Sequence, residues 1–129
     1  QTLLAILFYD SNDSRSYEMA KAKIFTKAIR NKLEENYANQ NPEGGKDFKP
    51  VVKLFNCFGQ GTWLLTEIDE HDIAYGLCDL GMGAELGYVC ITELYVTLNW
   101  RLERDQYFKA DKTLNAYAKE ARAAGGIVS

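Results

Sequence analysis

Between residues 50 and 92 the apolar positions fall into four short runs separated by turn-forming clusters. The runs are 51–58 (VVKLFNCF), 63–67 (WLLTE), 73–79 (IAYGLCD) and 86–92 (LGYVCIT). Each is rich in β-branched and aromatic residues and too short for an ordinary helix, so each reads as a strand. Gly59-Gln60-Gly61-Thr62 and the polar stretch 68–72 (IDEHD) supply the first two turns. Four strands joined this closely predict an antiparallel meander.

The flanking segments carry a helical period instead. From 17 to 37 no Gly or Pro interrupts the chain, and the apolar residues form two stripes. Tyr17, Ala20, Ile24 and Ala28 make one; Phe25, Ile29, Leu33 and Tyr37 make the other. Together they exceed one face of a straight helix, which predicts a break near Thr26, itself a good N-cap. Lys23, Lys27 and Arg30 fall on one side at i, i+4 and i+7 and read as a solvated face. Residues 113–124 (TLNAYAKEARAA) predict a second helix with Leu114, Tyr117, Ala118 and Ala121 inward, closed by Gly125-Gly126. Residues 39–49 are loop by composition, and 3–9 (LLAILFY) fit a strand or the start of a helix equally. The chain therefore reads as one α+β domain over residues 1–129. A small antiparallel meander of about four strands packs with N-terminal and C-terminal helices, both expected on one face of the sheet.

The stretch 76–89 (GLCDLGMGAELGYV) resembles a cofactor loop, with an acid and Gly-x-Gly after an apolar run. Such loops work by opening a helix whose N-terminal amides receive an anion. Here Tyr88-Val89-Cys90-Ile91-Thr92 follows, a strand-forming continuation, and the chain is too short for several βα units. The glycines then serve the bend of a hairpin.

Composition narrows the chemistry further. No apolar run reaches the roughly 20 residues that span a bilayer, nothing resembles a signal peptide, and a cytoplasmic setting is expected. Cys57, Cys78 and Cys90 are an odd, dispersed set that fits reduced, packed thiols. His71 is the single histidine, and no C-x-x-C or H-x-x-x-H spacing accompanies it, so neither a zinc site nor a His-based nucleophile system is indicated. No phosphate loop is present, and no cofactor, metal or catalytic residue is assigned.

Charge is uneven. Residues 67–105 carry nine Asp/Glu against two Arg, a net of −7, within a chain of net −3. That middle disfavours nucleic acid as a partner. It also holds Asp79, Glu85, Glu103 and Asp105, which could divide acid and base roles or bind Mg²⁺ if they converged. Arg104 between Glu103 and Asp105 reads more simply as part of an ion-pair network. Trp63 and Trp100 read as packing anchors, and either one, if exposed, is a natural interface residue.

Several segments together resemble a bacterial domain-of-unknown-function family, number 2958: KPVVKLF (49–55), TWLLTE (62–67), IAYGLCDLGMG (73–83), ELGYV (85–89), ERDQYF (103–108) and LNAYAKEARAAGGI (114–127). The resemblance covers about residues 26–128, with 1–25 as an N-terminal extension, and Ala84 stands where the family pattern has Pro. It implies a small cytoplasmic bacterial protein, often encoded on plasmids and other mobile elements near transfer and anti-restriction genes, and it implies no activity. The expected role is a non-catalytic interaction module with a protein partner. The alternatives are a small carboxylate enzyme and an acidic DNA mimic. The candidate binding residues are Trp63, Glu67, Asp79, Glu85, Tyr88, Glu103, Arg104 and Asp105.

Overall fold

The computed structural model describes residues 24–40 and 45–129. Residues 3–9, Lys23 and the 17–23 part of the first helical pattern lie outside the described residues. Thr26 breaks the pattern as its chemistry suggests. Its backbone is extended and its Oγ1 accepts the Ile29 amide at 3.1 Å, making it the N-cap of α1, Lys27–Ala38. Ile24 and Phe25 before the cap are buried with Leu33, and Ile29 packs beside them.

The meander consists of β1 (Val52–Asn56), β2 (Thr62–Ile68), β3 (Ile73–Asp79) and β4 (Ala84–Cys90). A fifth strand, β5 (Leu102–Arg104), adds to β1, so the sheet order is β4-β3-β2-β1-β5 with every pair antiparallel. The Gly-x-Gly stretch is a hairpin bend. Asp79 faces Ala84 across it, and Gly81 and Gly83 adopt φ of 94° and 108°, a region that side-chain-bearing residues avoid.

Two elements differ from the sequence expectation. Residues 91 and 92, read as the end of a strand, instead open α2, Ile91–Leu98, which leads through the 3₁₀ turn Asn99–Arg101 into β5. ITELYVTL is half β-branched, and local propensity favours a strand. Packing overrides it: Ile91 is fully buried and Leu94, Tyr95 and Leu98 meet the same core at helical spacing. Arg101 then closes the helix, donating Nε to the Leu98 carbonyl and Nη2 to that of Thr97.

The helices also do not share one face. α1 and α2 cover one side of the sheet, while α3 (Leu114–Ala124) covers the other. The cause lies in β2, where Trp63 and Leu65 join the α1/α2 core and Leu64 between them joins the α3 core. A strand apolar on both faces must be covered twice. The inward residues of α3 are the four expected ones, Leu114, Tyr117, Ala118 and Ala121, and Gly125 is its left-handed C-cap.

At residues 65–67 the pairing slips. Leu65 faces Gly76, yet Glu67 faces Tyr75, so Thr66 is the extra residue of a β-bulge. The bulge inverts the alternation beyond it. Ile68 enters the α1/α2 core with Leu65, and Glu67 turns to the α3 side beside Tyr75. Buried Asn36 of α1 donates to the Thr66 carbonyl at 2.9 Å, satisfying a backbone group in the core.

Arg30 of α1 reaches the β2–β3 turn, pairing with Asp72 at 2.6 Å and with Glu34 at 3.1 Å. Asp72 is buried with φ of 62°, and its carbonyl accepts the first amide of α2. Arg30, expected on a solvated face, thus links α1 to the turn that leads into β3. Burial lowers its pKa, but the two carboxylates outweigh that, leaving it above its ordinary value.

Candidate functional site

The bulge delivers a carboxylate to an unusual place. Glu67 is 3% exposed and lines a cavity of about 350 Å³ between the sheet, the N-terminal end of α3 and the loop that precedes β1. Register sets Glu67, Tyr75 and Tyr88 side by side across β2, β3 and β4. The two tyrosine rings lie 4.9 Å apart, tilted by 57°, with Tyr88 on the edge strand and 71% exposed. Gln40 Nε2 donates to both Glu67 oxygens at 2.8 Å. Among the described residues no cationic side chain pairs with this carboxylate.

Burial raises the Glu67 pKa above the usual carboxylate value, and the Gln40 hydrogen bonds oppose the shift only in part. An acid raised in this way holds its proton more tightly folded than unfolded. Its contribution to stability is therefore present below its ordinary value and is lost as pH rises through the folded pKa. Glu67→Gln, which cannot ionise, is expected to gain in melting temperature relative to the native chain as pH is taken from about 4 to about 7.5. Melting curves of the two proteins that stay parallel across that range would contradict the assignment.

The remaining candidates are dispersed. Asp79 and Asp105 line a second cavity, of about 470 Å³, with Lys53 3.8 Å from Asp105. Both carboxylates hold backbone there. Asp79 accepts the amides of Gly81 and Ile127, at 2.8 and 2.9 Å, and Asp105 accepts that of Tyr107 at 2.9 Å. Glu85 is exposed on β4 opposite Cys78, whose thiol is pushed up to about 11 by burial and then by that carboxylate. Glu103 is exposed on β5, and Arg104 donates to the Ile24 carbonyl at 2.7 Å, fastening the lead-in of α1 to the sheet. Trp63 is buried in the core. Of the eight candidates, Glu67 and Tyr88 share one cavity, Asp79 and Asp105 another and Glu103 and Arg104 a third, while Trp63 and Tyr88 both border an apolar groove; the four carboxylates proposed for chemistry do not converge. Among the described residues no group of three or more His, Cys, Asp or Glu is placed to hold a metal ion, and no helix is long and apolar enough to cross a membrane.

A third feature lies at one end of the sheet. The strand registers bring the β1–β2 loop, the β3–β4 loop and the turn before β5 together there, with Gln60 of the first loop against Gly81 of the second. Four large apolar side chains project from this end: Phe58 (72% exposed), Leu80 (57%), Met82 (91%) and Trp100 (65%). Phe58 and Trp100 meet edge to face at 5.1 Å. An apolar groove of about 410 Å³ runs beside them, walled by Leu80, Val89, Leu94 and Leu98. The loops themselves are braced. Asn56 Oδ1 accepts the Phe58 amide, and the Cys57 amide donates to the Arg101 carbonyl.

Sequence reasoning flagged Trp100 conditionally and passed over Phe58, Leu80, Met82, Gln40 and Tyr75. Nothing local marks these as site residues, because only the strand register brings them together.

The family model for a protein of unknown function, DUF2958, matches residues 24–128, and the chain belongs to that family. No curated protein and no solved structure matches it.

Proposed function

We propose that the chain is a protein-binding module, acting as a non-catalytic accessory of a plasmid or other mobile element in the bacterial cytoplasm. The observation that carries this reading is the cluster of Phe58, Leu80, Met82 and Trp100, held out from the sheet end on braced loops. Large apolar side chains gathered on one exposed surface are costly to keep in water and mark sites of association. Aromatic anchors of this kind dominate the energetics of protein interfaces. Loops already fixed in place lose little further entropy on binding. The acidic middle supports the choice of a protein over nucleic acid, although it does not form a uniform acidic face. Glu67 is buried and Asp72 is paired with Arg30.

The test is capture of partners by the tagged protein from its nuclease-treated host lysate, compared among three forms. A protein retained by the native chain and by Lys119→Glu on the exposed side of α3, but reduced at least about tenfold by Phe58→Ser with Trp100→Ser, supports the reading. Capture that ignores the double substitution, or no specific capture by the native chain, overturns it.

A further inference from the structure

We infer that the Glu67 cavity is a receptor for an organic cation bearing N–H donors, a guanidinium or ammonium group, seated between the carboxylate and the Tyr75/Tyr88 ring pair. Glu67, Gln40 and Tyr75 take no part in the apolar sheet end, although Tyr88 also borders its groove, so Glu67→Gln tests this inference separately.

The argument begins with the cost of the arrangement. A carboxylate is not buried without compensation, and among the described residues compensation comes from one amide, that of Gln40. An ionised carboxylate offers about four acceptor positions, so Gln40 leaves capacity unused on a group that borders open space. The bulge at Thr66 and its partner Asn36 hold Glu67 on this side of the sheet; without the bulge the same residue would point into the apolar α1/α2 core.

The walls select the ligand. A guanidinium presents a planar fork of donors that matches a carboxylate and stacks on aromatic faces, and an ammonium is attracted to the same faces. Tyr75 supplies a half-buried ring next to the carboxylate, and Tyr88 an exposed ring at the open side. Among the described residues, the other charged groups of the cavity are Lys46 and Asp47, which offset one another, so Glu67 sets the sign there. An anion would be repelled by Glu67, and a wholly apolar ligand would leave its remaining acceptor positions unused. A cation with N–H donors satisfies both the charge and the free acceptor positions.

Among the described residues, the titratable groups around Glu67 are Tyr75 from β3, Tyr88 from β4, and Lys46 and Asp47 from the loop, while α3 presents Leu114 and Asn115, which do not titrate. Cation binding that depends on Glu67 must therefore weaken as pH falls and the carboxylate takes up a proton, and the Glu67→Gln protein isolates that dependence from Asp47.

The experiment is a titration of the full chain, followed by NMR shifts or calorimetry, with N-acetyl-arginine methylamide, N-acetyl-lysine methylamide and the neutral isostere N-acetyl-citrulline methylamide. Saturable binding of the arginine or lysine probe is expected, at least about tenfold tighter than that of the citrulline probe, with the preference lost in Glu67→Gln. Tyr88→Ala, a substitution at an exposed edge position, is expected to weaken the cationic probe by about threefold or more, and it serves if Glu67→Gln folds poorly. No saturable binding of either cationic probe, or equal binding of citrulline, overturns the inference. Once the arginine or lysine probe is shown to bind, an arginine-bearing peptide that binds more weakly than the free derivative places the natural ligand among small molecules, and one that binds more tightly places it on a partner chain.

Discussion

Gly76→Ala is expected to cost on the order of 4 kcal/mol or more, placing it among the most damaging single substitutions in the chain. The residue sits in the middle of β3 opposite Leu65, at the bulge where β2 crowds its neighbour. A Cβ there would collide with the Leu64 carbonyl oxygen and the adjacent backbone, which cannot move aside like a flexible side chain. Relief requires β2 and β3 to separate at their tightest point. That would strain the Asn36–Thr66 hydrogen bond and the Thr66 Oγ1 contact to the Tyr75 carbonyl. Urea unfolding followed by circular dichroism measures the loss. A midpoint shift worth less than about 1 kcal/mol would show that the sheet opens there without resistance.

Leu33→Ala and Leu64→Ala are each expected to cost about 3 kcal/mol, within the range for emptying a fully buried leucine site. The informative quantity is their sum. Leu33 packs in the α1/α2 core and Leu64 in the α3 core, on opposite sides of one sheet. Cavities that share no neighbours should add to within about 0.5 kcal/mol. A domain of this kind holds about 5–15 kcal/mol in total, so a double variant that loses about 6 kcal/mol forfeits at least about two-fifths of it. An interaction term above about 1 kcal/mol would mean that the two layers repack as a single unit.

What the amino-acid sequence revealed was what local chemistry decides. Thr26 is a cap because its hydroxyl competes for the amides of the next turn. The 79–84 bend is a hairpin because Gly81 and Gly83 supply positive φ. α3 follows from four residues at helical spacing. α2 was hidden because ITELYVTL looks like a strand until Ile91, Leu94, Tyr95 and Leu98 are given a core to face. β5 was hidden because three residues carry no period. The placement of the helices on opposite faces was implicit in Trp63-Leu64-Leu65, three apolar residues in succession. Glu67 was noticed as a residue but not as a buried one. Strict alternation beyond Leu65 would have sent it the other way, and the bulge that redirects it is held by Asn36, thirty residues earlier.

The late pairing of β5 has a consequence for how the molecule is assembled in time. β1 to β4 join through adjacent hairpins, so their contacts close small loops and can form early. β5 meets β1 only after the chain has travelled about fifty residues, from Leu54 to Arg104, and it offers three residues of ladder in return. With the meander formed, the span left to close is the short one from Cys90 to Leu102, filled by α2 and the 3₁₀ turn, so β5 is expected to pair after the hairpins. Trp100 lies two residues before this strand, and its partner Phe58 sits at the end of the early hairpin. The aromatic pair at the sheet end therefore joins the part of the fold that forms first to the part that forms last, and a partner that clamps both rings would act as a staple across that seam.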